Sequence, residues 1–178
     1  VMERAALKAA DITAVMIGTT QFTNAVIERR ELSETDIIRA CLPTGTGIPP
    51  MCDWPEDIAK RLGTTQYSIL GGHIFDGSEI HPLDEEEIRR AVTDIRDKGI
   101  RALAIAAAFS PMDHSHELRI AQIARELIPD ANITLSHEIG RLGIIERENA
   151  ALLNAALGEL ATRVVDSMTA ALTERHIN

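Results

Sequence analysis

At 178 residues the chain has the length of one ordinary domain, 1–178, and can bury a core without disulfide staples. It is 45% hydrophobic but only 3% aromatic, so that core must be built from Ala, Ile, Leu and Val. A formal net charge of −9 with no basic block argues against nucleic-acid binding, and the longest apolar run, Ala102–Phe109, is far too short for a membrane span.

The chain opens at Val1 without a signal-peptide pattern. Its first residues read as the middle of a helix, with Arg4 and Lys8 four apart and an apolar stripe of Ala6, Leu7 and Ala10, so a preceding element is expected. Ile12–Gly18 is a short apolar run, expected to be a buried strand that turns at Thr19-Thr20 into a helix over Gln21–Arg30. Asp36–Leu42 and Gln66–Leu70 are expected strands. Between them lie the Pro- and Gly-rich loop 43–50 and a short helix with Pro55 at its first position. Cys41 and Cys52 match no zinc spacing and are read as free thiols of a reducing cytoplasm.

From Pro82 the pattern is regular. Asp84 and Glu87 form a capping box ahead of Ile88, Ala91, Val92 and Ile95, and Gly99 closes that helix. Arg101–Phe109 reads as a strand covered on both faces. A helix capped by Asp113 carries Ile120, Ile123, Ala124 and Leu127, and Asn132–Ser136 is the next strand. One long helix is expected from about Ile145 to Leu172, with a stripe of Leu153, Leu157, Leu160, Val164, Met168 and Ala171. This alternation predicts an α/β fold with a mainly parallel sheet and flanking helices.

Ligands of such sheets bind beyond the carboxyl ends of strands. Three polar clusters qualify: Gly18-Thr19-Thr20 with Thr23 and Asn24; Ser110 to His116; and Ser136-His137-Glu138 with Arg141, Glu146, Arg147 and Asn149. If the strands are parallel neighbours, the clusters share one edge. Each also has a plain structural explanation. Thr19 or Thr20 serves equally well as a helix cap. His114 and His116 sit in a helix-entry loop, where surface or capping roles are expected and no metal site is. His137 and Glu138 form an acid/base pair only if they touch, and neighbours on a strand point to opposite faces. Glu146 supplies negative charge to a helix first turn.

The run Ile17 to Arg30 resembles the Gly-Thr-Thr…Thr-Asn-Ala…Glu-Arg segment of the hydantoinase/5-oxoprolinase family. Cys41-Leu42-Pro43 with Pro49-Pro50-Met51 and Asp53-Trp54-Pro55 is similar to its hydantoin-utilisation subgroup. Gly99–Ser110 with His116-Glu117-Leu118-Arg119 follows in order. So do Leu135 to Ile139, Glu146 to Asn149 and Leu153-Asn154-Ala155.

The resemblance implies part of an actin/sugar-kinase-like (ribonuclease H-like) N-terminal domain lacking its first strands. It implies ATP and Mg²⁺ in a longer parent, used to open a hydantoin, N-methylhydantoin or 5-oxoproline-type ring through phosphorylation of its carbonyl. A second subunit, a homo-oligomer and a cytoplasmic location follow from the same likeness. The family's Asp-x-Gly-Gly-Thr phosphate hairpin does not occur in the chain, so the piece alone is expected to bind no cofactor and to be inactive. By resemblance Thr19, Thr20, His137 and Glu138 are the candidate catalytic residues, and Asn24, Glu146 and Arg147 the candidate substrate-binding ones. The alternatives are a non-catalytic α/β binding or scaffold module, or a piece of an ATP-dependent ketone carboxylase subunit.

Overall fold

The computed structural model describes residues 8–9 and 12–177. The helical stripe expected at Arg4 to Ala10 lies almost wholly outside them. Four parallel strands form one sheet in the order β2-β1-β3-β4: β1 Thr35–Leu42, β2 Gln66–Leu70, β3 Ala102–Ala107 and β4 Asn132–Leu135. Around it run α1 Gln21–Glu28, α2 Glu56–Leu62, α3 Glu85–Asp97, α4 Ser115–Leu127, the single turn α5 Ser136–Ile139, α6 Ile144–Ala156 and α7 Gly158–Thr173. No helix among the described residues is long and apolar enough to cross a membrane.

Both faces of the sheet are covered, which is why the strand runs are continuously apolar. On one face Ile38, Leu103, Ile105 and Leu135 pack with Ile88, Val92 and Ile95 of α3 and Ile120, Ile123 and Ala124 of α4. Alternate residues Ile37 and Ala104 face the other way, against Ala25 of α1, Leu62 of α2, Ala151 and Leu152 of α6 and Leu160 of α7.

The helix ends follow from local chemistry. Asp84 Oδ1 accepts from the N–H groups of Glu86 and Glu87. Glu87 does not reach back as a capping box requires; its carboxylate accepts the Leu70 N–H at 3.1 Å and ties α3 to the end of β2. Gly99, at φ +79°, closes α3 with Gly99 N–H to Arg96 O and Ile100 N–H to Ile95 O, the paired bonds of a left-handed helix stop. Pro55 precedes α2 as its cap, one residue earlier than expected.

Three expectations are corrected. Residues 12–20 are irregular and almost entirely exposed, with Met16 96% accessible, and form no strand. A strand is stable only with its N–H and C=O groups paired, and among the described residues these groups join no strand of the sheet. The long C-terminal helix is two helices broken at Leu157. Asn132 Nδ2 takes the carbonyl of Ala155 at 2.8 Å and Ser33 N–H takes that of Ala156 at 2.9 Å, the two acceptors that Glu159 and Leu160 would need to continue the helix. Within α6 the inward face is Arg147, Glu148, Ala151, Leu152, Ala155 and Ala156, with Leu153 only half-buried. Alanines of α6 meet alanines of β3, so the backbones approach closely and the larger leucine is turned aside.

That close approach buries a charge pair. Arg39, facing the same way as Ile37, donates Nε to Glu148 Oε2 at 2.7 Å and Nη2 to Glu148 Oε1, and its Nη1 reaches the carbonyl of Ile48. The two side chains are 2% and 0% exposed. Burial works against the Arg39 charge, but the Glu148 carboxylate outweighs it and raises the guanidinium's pKa. Removing one partner strands the other charge in the core. Glu148→Ala is expected to cost about 3–5 kcal/mol in chemical denaturation, and the double change Arg39→Met with Glu148→Leu to recover most of that loss. Additive losses in the double variant would show that the pair carries no coupling.

Candidate functional site

The carboxyl ends of β3 and β4 are joined by one buried carboxylate. Glu117, on the first turn of α4 and 0% exposed, accepts through Oε1 from the Ala107 N–H at 2.9 Å and the Ser136 hydroxyl at 2.5 Å. Through Oε2 it accepts from the His137 N–H at 3.1 Å and meets His137 Nδ1 at 2.6 Å. Arg147 closes the ring from α6: Nε donates to Ser136 Oγ, Nη2 to Ala107 O, and Nη1 to the carbonyls of Arg141 and Leu142. Burial lowers the Arg147 pKa, opposed by the charges of Glu117 and Glu148.

Ser136 and His137 belong to the turn α5 rather than to the end of β4. The strand stops at Leu135 because the next backbone N–H groups and side chains turn back toward Glu117. His137 and Glu138 therefore diverge. The His137 side chain is 15% exposed and stacks on His114 at 4.8 Å between ring centroids. Glu138 is exposed and lines an open hollow of about 690 Å³ with Pro111, Met112, Ile139, Arg141 and Leu142.

The second and third clusters thus meet. Gln21, at the start of α1, shares a surface hollow with Leu160, Val164 and Met168 of α7. That helix starts at the amino edge of the sheet, where Gly158 abuts Asn132, the first residue of β4. Thr19 Oγ1 accepts the Gln21 N–H at 3.1 Å, whereas the Thr20 hydroxyl makes no cap bond. Asn24 is exposed on α1. Among the described residues no hydrogen bond or ion pair joins these three to the His137 group. Glu146 is exposed in the first turn of α6. Arg147 spends its N–H groups on the protein's own oxygens and is an internal brace rather than a ligand-binding group.

Sequence reasoning misses Glu117 because an acidic residue two positions after Ser115, in the first turn of a helix, looks like ordinary first-turn charge. His116 is not the surface or capping residue expected. It is buried, and its Nδ1 accepts the N–H of Gly72, whose φ of +89° and contact with Ala40 O leave no room for a Cβ. The proton of His116 therefore sits on Nε2, 3.2 Å from Glu79 Oε1. His73, Glu79 and His116 place donor atoms within 4.8 Å of one another, but His116 offers no lone pair to a cation there. His73 is buried beside the His116 ring at 4.3 Å with Nδ1 unpartnered. Burial and then His116 lower its pKa, against Asp113 and Glu79.

Residues 1–128 match the hydantoinase/oxoprolinase N-terminal region. The chain is 32% identical to the caprolactamase subunit alpha of Pseudomonas jessenii over 93% of its own length and 25% of that protein's. It is 34% identical to the acetophenone carboxylase gamma subunit of Aromatoleum aromaticum over 46% of its length and 12% of the relative's. The crystal structure of ATP-dependent caprolactamase from Pseudomonas jessenii superposes with a TM-score of 0.73 at 25% identity, covering 94% of this chain and 26% of that one. A nucleotide-free acetone carboxylase structure gives 0.70 at 16% identity, covering 86% and 24%, and shares the fold. The chain thus spans about a quarter or less of the length of these relatives.

The buried His73 makes stability depend on pH. Its folded pKa lies below the unfolded 6.5, so the stabilisation is present above 6.5 and is lost as pH falls toward the folded value. Melting scans from pH 7.5 to 5 are expected to show wild type losing stability faster than His73→Gln, with a ceiling of about 1.4 kcal/mol per pH unit for one proton. Parallel curves would show that His73 does not titrate in this window.

Proposed function

Because the chain belongs to the hydantoinase/oxoprolinase family, matching its N-terminal region over residues 1–128, we propose that it is part of an ATP-dependent enzyme that opens a cyclic amide with water. The observation that carries this reading is the likeness to the caprolactamase alpha subunit along 93% of the chain. The sheet's carboxyl edge supports it, with an imidazole held by a buried carboxylate beside an open hollow. Hydantoin, N-methylhydantoin and 5-oxoproline rings are the substrate class. Both curated relatives are named as subunits, which supports a partner subunit here too.

ATP and Mg²⁺ belong to this reading as requirements of a full-length protein. The described residues do not by themselves fit a nucleotide. Thr19 and Thr20 lie at the exposed start of an eight-residue helix, Thr19 is already occupied by the Gln21 N–H, and no Walker-type lysine loop accompanies them. A tetra-anionic ligand would also meet a chain of net charge −9. On this reading the chain alone is an inactive portion, and the roles of Thr20 and Asn24 depend on the rest of a full-length protein. A second reading, part of a ketone carboxylase, is favoured by the acetophenone carboxylase likeness, which covers only 46% of the chain.

The test is turnover by a full-length protein carrying these residues, with its partner subunit, ATP and Mg²⁺, offered cyclic amides in one assay and ketones with bicarbonate in another. Ring opening coupled to ATP consumption is expected; carboxylation of the ketone would favour the second reading, and no turnover of either would leave a binding module. Thr20→Ala in that protein separates cap from ligand. Its hydroxyl makes no cap bond, so the expected stability loss is within about 0.5 kcal/mol. Loss of a transition-state contact would lower kcat by roughly 100-fold.

A further inference from the structure

We propose that His137 is a proton acceptor at this edge and that Glu117 is its positioning residue. The assignment rests on the reading above, that the full-length protein opens a cyclic amide with water. Every partner of Glu117 other than the imidazole is a donor, and its carboxylate is fully buried. The imidazole proton facing it is therefore on Nδ1, at 2.6 Å from Oε2. That leaves a lone pair on Nε2, which has no hydrogen-bond partner among the described residues and is not among their buried unsatisfied atoms. Turning the ring over would put a carbon against Glu117, and the stacked His114 ring holds it in place.

The surrounding charge suits proton uptake. Glu117 lies directly beneath the imidazole, Arg147 is held one residue away behind Ser136, His114 stacks above, and Glu138 follows in the chain. An imidazolium formed here is balanced by Glu117 at contact distance. The next residue in the chain, Glu138, lines a hollow that presents Met112, Ile139 and Leu142 to an apolar ring, with Arg141 also in its lining. As the water oxygen bonds to the carbonyl carbon, one water O–H bond breaks, its electron pair stays on that oxygen, and Nε2 binds the proton. The carbonyl π pair moves to the carbonyl oxygen. When the tetrahedral centre collapses, the oxygen's electron pair re-forms the C=O bond, the C–N bond pair leaves with nitrogen, and nitrogen takes the proton held on Nε2. No oxidant or reductant is involved.

A purely structural role would need less. The Ala107 N–H, the Ser136 hydroxyl and the His137 N–H already join the strand ends through Glu117, and the ring adds a partly exposed group that the fold does not require. The test uses the full-length protein. Diethyl pyrocarbonate, which acylates unprotonated imidazole, is mapped by mass spectrometry; His137 is expected to react faster than the buried His73 and His116. His137→Asn keeps a side-chain N–H for Glu117 and removes Nε2. Its melting temperature is expected to stay near wild type while kcat falls by about 10²–10⁴ with little change in KM, and the acidic limb of the pH–rate profile disappears. Glu117→Gln is expected to slow acylation of His137; if it does not fold, His137→Asn decides. Wild-type turnover by His137→Asn, or protection of His137 in the ligand-free protein, overturns the assignment. If wild type opens no cyclic amide, the substrate reading above fails, and the acylation rate alone then supports or overturns the open Nε2.

Discussion

Two adjacent residues of α6, Arg147 and Glu148, decide how the whole domain closes. Glu148 takes the guanidinium of Arg39 from the middle of β1, and Arg147 reaches the last carbonyl of β3 and the first side chain after β4. Sliding α6 by one turn would strand two buried charges at once. Against well-packed apolar residues such a pair contributes little net stability, but a misplaced partner is costly, so its effect is to select one register. The small residues of β3, Ala104 and Ala106, let the helix come near enough for the register to matter.

Glu117 performs the matching task on the opposite face. It sits in the first turn of α4, yet all four of its partners are at strand ends or in the turn that follows: the Ala107 amide, the Ser136 hydroxyl, the His137 amide and the His137 imidazole. The carboxyl edge of a parallel sheet leaves backbone N–H groups pointing out of the last strand residues, and a buried carboxylate is one of the few groups that satisfies several together. The same arrangement aims an imidazole outward. Structure and candidate chemistry therefore share one residue.

Family membership and site geometry bear on different questions. The likeness extends over most of the chain and fixes what kind of protein it belongs to. It leaves open which groups act. The Thr19, Thr20 and Asn24 cluster is the motif most suggestive of chemistry by resemblance, yet it lies on an exposed helix start with no hydrogen bond to the buried network among the described residues. The residues that the fold invests in burying, Arg39, Glu117, Arg147 and Glu148, drew less notice or a different role.

The sequence by itself determined the parallel α/β alternation, strands at Asp36–Leu42, at Gln66–Leu70 and within Arg101–Phe109, and the buried stripes of α3 and α4. Those are local properties: apolar runs, 3.6-residue periodicity and caps such as Asp84 and Gly99 are set by neighbours a few positions away. Only the tertiary structure decided the rest. Residues 12–18 are apolar enough for a strand but become one only beside an edge that will pair with them. The last helix breaks at Leu157 because Asn132 and Ser33, distant in sequence, take its carbonyls. His116 is buried because Gly72 brings an amide to it, and Arg147 is a brace because β3 and β4 end beneath it. Glu117 becomes a site residue only when the chain brings residues 107, 136 and 137 around it, a convergence that no local pattern encodes.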